Sequence, residues 1–67
     1  MHAKRDELAE ADLLYQERCT RANSALYAAV KVAKTSDEIE AAYAMHIEAR
    51  NAALKAYTDS RRSILGH

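Results

Sequence analysis

Sixty-seven residues with ten Lys or Arg, ten Asp or Glu and no net charge allow one small domain and lack the basic excess of a dedicated nucleic-acid binder. One cysteine, Cys19, excludes an internal disulfide. No apolar run approaches the roughly 18 residues of a membrane span, and the opening Met1-His2-Ala3-Lys4-Arg5 runs into Asp6-Glu7 instead of an apolar signal core, so the expected setting is the reducing cytoplasm.

From residue 3 onward the chain is rich in helix formers, without proline and with a single glycine, Gly66. A first helix is expected over 3–33, with Asp6 and Glu7 near its start and Lys31 and Lys34 near its end, where the helix dipole favours each sign. Thr20 to Ser24 is a weak point, because Asn23 and Ser24 are poor helix formers.

A turn is expected at 34–36. Thr35 and Glu38 have the spacing of a capping box, and Ser36 is an alternative cap. The rival is a single helix running through residue 35, since neither Gly nor Pro marks the break. A second helix is expected over 37–64, opening on Asp37, Glu38 and Glu40 and closing near Arg61 and Arg62.

Folding the chain at the turn sets Leu8 against Ile64, Tyr15 against Tyr57 or Ala56, Ala22 against Ala49, Ala29 against Ala42, and Val32 against Ile39. Leu8, Tyr15, Ala22 and Ala29 recur every seven residues, as do Ala42, Ala49 and Ala56. Such heptad spacing is what a two-helix seam requires. The fold class predicted is therefore all-α, an antiparallel two-helix hairpin with coiled-coil character and one domain over 1–67.

Fifteen residues are Ala, and Phe and Trp are absent, so a lone hairpin has little to bury. Leu14, Leu26, Val30, Tyr43, Ile47, Leu54 and Leu65 form a surplus apolar set beside the seam. Small scaffolds short of core rely on a disulfide, a metal or association. Association is the route left, with two hairpins forming a four-helix bundle.

Chemistry is sparse. His2, His46 and His67 share no ligand spacing, and His46 follows Tyr43 where a di-metal bundle would carry Glu at that offset. Cys19 sits among core-spaced neighbours and is read as a small packing residue. Glycine-dependent phosphate loops are precluded. No catalytic, cofactor-binding or metal-binding residue is expected, and no small-molecule substrate.

Four tyrosines without Phe suggest rings with hydroxyls near water. Tyr and Arg are enriched at binding hot spots, so Tyr27, Tyr43, Ile47, Arg50 and Leu54 are the candidate partner-binding residues. The function expected is a non-enzymatic homodimeric module that binds another protein as an inhibitor, adaptor or chaperone-like regulator. One alternative is an RNA-binding dimeric hairpin using the basic pairs Lys4-Arg5 and Arg61-Arg62 at the open end. A second is a structural subunit of a larger helical assembly.

Overall fold

A computed structural model describes residues 3–66. Met1, His2 and His67, included in the expected domain and in the histidine argument, lie outside the described residues. Two helices make up the fold, α1 (Ala3–Val32) and α2 (Ser36–Leu65). No strand occurs among the described residues. The helix bounds differ from expectation by one residue at each inner end and one at the close of α2, within ordinary fraying of helix termini.

α1 runs unbroken through Thr20–Ser24. The chain breaks instead at 33–35, where the Ala33 N–H donates to the Val30 carbonyl at 3.2 Å and closes the last turn tightly. Thr35 then caps α2 in extended conformation, φ −130° and ψ 160°. Its Oγ1 accepts from the Glu38 N–H at 3.1 Å, which settles the cap in favour of Thr35 over Ser36. The return half of the box is displaced by one residue. Glu38 Oε1 accepts from the Lys34 N–H at 3.2 Å instead of from the Thr35 N–H.

Gly66 ends α2 in the left-handed region at φ 76°, donating its N–H to the Arg62 carbonyl at 2.8 Å. A side chain there would be strained, which is why glycine suits this position.

The helices lie antiparallel, fitting a helical hairpin: Tyr15 meets Tyr57 toward the open end, and Asn23 meets His46 closer to the turn. The Cα envelope is a thin slab of 54 × 18 × 6 Å. Ala22, Ala42 and Ala53 are the buried residues, and no large side chain is fully buried among the described residues.

The inner faces recur every eleven residues. On α1, Leu8, Cys19 and Val30 form one row and Ala11 and Ala22 another that Ala33 extends just past the helix end; on α2, Ala42, Ala53 and Ile64 form a third. All of these are buried or half-buried. A spacing of eleven matches three turns of a nearly straight helix, whereas a heptad drifts about 20° per repeat unless the helices supercoil left-handedly. The heptad set lies only partly in the seam. Leu8, Tyr15, Ala56 and Ile64 are half-buried, and Ala22 and Ala42 buried, but Ala29 and Ala49 are exposed. Ala53, absent from the heptad set, is the most buried residue at 3% exposure. Val32 and Ile39, expected to face each other, are both exposed.

Candidate functional site

With so thin a slab, the chain offers two broad faces. One is floored by alanine. Ala22, Ala25, Ala49, Ala53 and Ala56 line an open groove of about 410 Å³ whose α1 rim is Arg18 and Arg21. A smaller cavity of about 140 Å³ continues it toward the turn, between Ala29, Ala42 and Met45. Toward the open end the same face passes Glu7, Glu10 and Leu14 opposite Ser60, Ser63 and Ile64. Exposed Ala29 and Ala49 thus belong to this groove and not to the seam.

The opposite face is bulky. Ile47, Arg50 and Leu54 line a shallow cavity of about 260 Å³ with Tyr15, His46 and Asn51. Tyr43 lies one turn before Ile47 on the same helix face. Tyr43, Ile47 and Leu54 are each at least half exposed. Tyr27, on α1, is 71% exposed, and the Lys31 ammonium sits 5.9 Å from its ring centroid, in range of a weak cation–π attraction. Ile47, Arg50 and Leu54 are thereby gathered around one cavity with Tyr43 beside it, while Tyr27 stands on the other helix with no contact to that cavity.

The expected surplus set divides: Leu26, Val30 and Leu65 are half-buried, Val30 within an inner row of the seam, and Leu14 stands apart from Ile47 and Leu54. Leu14 lies on the alanine face with Glu7 and Glu10.

Polar groups at the seam are paired. His46 Nε2 lies 2.8 Å from Asn23 Oδ1, so the Nε2–H tautomer donates to the amide oxygen. The contact to Asn23 gives a poor helix former a reason to stand in mid-helix, since its side chain supplies the acceptor that a half-buried imidazole needs. At the open end the Tyr57 phenol titrates above its ordinary value, chiefly through its interaction with the Asp12 carboxylate, then through desolvation, with Arg61 opposing. The Arg61 guanidinium lies 5.7 Å from the Tyr57 ring centroid.

Cys19 is a free, half-buried thiol. No group of three or more His, Cys, Asp or Glu side chains among the described residues is placed to hold a metal ion. No helix is long and apolar enough to cross a membrane among those residues.

Comparison with protein-family models, with curated proteins and with solved structures finds no significant match.

Proposed function

We propose that this chain is a non-enzymatic interaction module that pairs with a second copy into a four-helix bundle and docks another protein on its bulky face. The observation that carries the reading is an inversion of the usual core. The buried residues are three alanines, while nine larger apolar side chains, among them Leu14, Tyr43, Ile47 and Leu54, stay exposed. Burying alanine contributes little, at roughly 25 cal/mol per Å² of apolar area. Apolar surface of this extent on a small chain marks an association site.

Surface area supports the same reading. The hairpin exposes 5468 Å², whereas a compact monomer of 7.5 kDa would expose about 4,250 Å². The excess of about 1,200 Å² exceeds the ~800 Å² per partner of a standard interface. It is comparable to one 54 × 18 Å face of the slab. A contact of that order with a second copy on the alanine side would bring the surface down toward the expected range, and the bulky face would remain for a partner.

On that face Ile47 and Leu54 are the apolar anchors, Tyr43 the aromatic one and Arg50 the polar one, a composition typical of hot spots. Inhibitor, adaptor and small chaperone roles all use such a face. A half-buried thiol with no disulfide partner suits a reducing cytoplasm.

The test is capture of partners from native lysate by the tagged chain, beside an Ile47→Glu/Leu54→Glu variant that is equally helical by circular dichroism. A protein retained through nuclease and moderate salt by the parent, and lost by the variant, supports the reading. Nucleic acid that co-purifies and elutes with salt would replace it with an RNA- or DNA-binding role.

A further inference from the structure

We infer that the second copy sits on the α1 edge formed by Glu7, Glu10, Leu14, Arg18 and Arg21, lying antiparallel with Leu14 at the two-fold axis. This rests on the self-association reading above and specifies which surface carries it and in which orientation.

The five residues follow one another at steps of three, four, four and three, so they share one face of α1. Glu7, Glu10 and Leu14 border the cavity at the open end of the alanine face, and Arg18 and Arg21 border the groove next to it. All five are exposed, Leu14 at 45%. Their order is two anions, one apolar residue, two cations.

Within its own helix this order leaves Glu10 and Arg18 without an opposite charge one turn away, whereas Glu7 has Lys4 three residues before it and Arg21 has Glu17 four before it. Glu10 has Asp6 and Glu7 one turn before it and Leu13 and Leu14 one turn after, with no cation in reach. Arg18 has Leu14 and Tyr15 before it and Arg21 and Ala22 after, with no anion in reach. Like charges three residues apart cost a few tenths of a kcal/mol, about what an interleaved order would gain. None of these four charges forms an ion pair within 4.0 Å; the pair found among the described residues is Lys55–Asp59, elsewhere.

Reversing a copy of the same edge supplies the partners that Glu10 and Arg18 lack and sets Glu7 against Arg21 as well. With Leu14 on the axis, Glu7 of one copy stands opposite Arg21 of the other, and Glu10 opposite Arg18. The symmetry repeats both pairs on the far side of Leu14. A surface complementary to itself under a two-fold rotation is the requirement for an isologous dimer. The parallel arrangement would set Glu on Glu and Arg on Arg, so the charge order selects the antiparallel one. Alanine on the adjoining groove floor leaves room for a helix to approach closely. The pairing leaves Tyr43, Ile47 and Leu54 on the opposite face, open to the other protein.

Charge exchange tests it by sedimentation velocity on the full chain. Glu7→Arg/Glu10→Arg makes the edge wholly cationic, and Arg18→Glu/Arg21→Glu makes it wholly anionic. Each variant alone should lose at least about ten-fold in dimer affinity. Their equimolar mixture should recover a heterodimer, since each cation then faces an anion. As a second probe, Leu14→Cys with Cys19→Ser should cross-link between copies on mild oxidation. A parent dimer whose two variants stay dimeric, or whose mixture fails to recover, overturns this surface and leaves self-association standing. A folded parent that is monomeric overturns both.

Discussion

The rings of Tyr15 and Tyr57 meet across the hairpin with centroids 5.1 Å apart and planes tilted by 35°, in a seam whose buried residues are all alanine. Aromatic pairs in this range add about 0.5–1.5 kcal/mol beyond the area they cover. Tyr15→Ala and Tyr57→Ala should each lower stability by about 1–3 kcal/mol. A double-mutant cycle by thermal melting should return a coupling near 1 kcal/mol. Additive losses would show that the two rings do not stabilise one another.

Tyr57 also makes the open end sensitive to alkali. Its phenol titrates above the ordinary value of 10.0, first through the neighbouring Asp12 carboxylate. A group whose folded pKa is raised stabilises the fold below its unfolded pKa and loses that contribution as pH rises through the folded value. Helicity should therefore hold at neutral pH and weaken above about pH 10. Asp12→Asn should move the tyrosinate absorbance of Tyr57 to lower pH. An unchanged titration would remove Asp12 as the cause.

Thr35 and Ser36 separate two expectations that sequence alone left open. Thr35→Ala removes the acceptor for the Glu38 N–H and should cost about 1 kcal/mol. Ser36→Ala, one residue inside the helix, should be neutral or slightly stabilising. Equal losses at the two sites would mean that Thr35 is not the cap that holds the turn.

Asn23 and Ser24 give a comparison between neighbours. Both are poor helix formers, and alanine should gain about 0.5 kcal/mol at exposed Ser24. At Asn23 the same gain is offset by loss of the 2.8 Å bond to His46, worth about 1 kcal/mol. Ser24→Ala should raise the Tm while Asn23→Ala leaves it unchanged or lower. A rise at both positions would show that the His46 bond contributes nothing.

These contrasts mark what could be read from the residues. The turn was legible because capping chemistry is local: Thr35, Glu38 and the reversal of charge from Lys34 to Asp37 lie within one helical turn. The helical class followed from propensity alone. The seam was legible only in part, because a seven-residue spacing and an eleven-residue spacing coincide over one or two turns and diverge beyond that. Leu8, Tyr15 and Ala22 therefore fall near the seam in both readings, while Ala29 and Ala49 fall outside it in the folded chain. Ala53, Ala11 and Ala33 carry the longer period, and fifteen alanines scattered along the chain concealed it. Asn23 read only as a defect, since its partner is 23 residues away. The division of the apolar surplus into two faces, with Leu14 on one and Ile47 and Leu54 on the other, needed the helix phase that the hairpin sets.

The central claim is that the hairpin is completed by a copy of itself, and the most direct measurement is its mass in solution. Light scattering coupled to size-exclusion chromatography, at neutral pH across a dilution series, should give twice the 7.5 kDa chain mass. Dilution below the dissociation constant should lower mass and helicity together, as expected of a hairpin whose fold depends on its copy. A chain that elutes at 7.5 kDa, remains fully helical and melts cooperatively at every concentration would contradict the account.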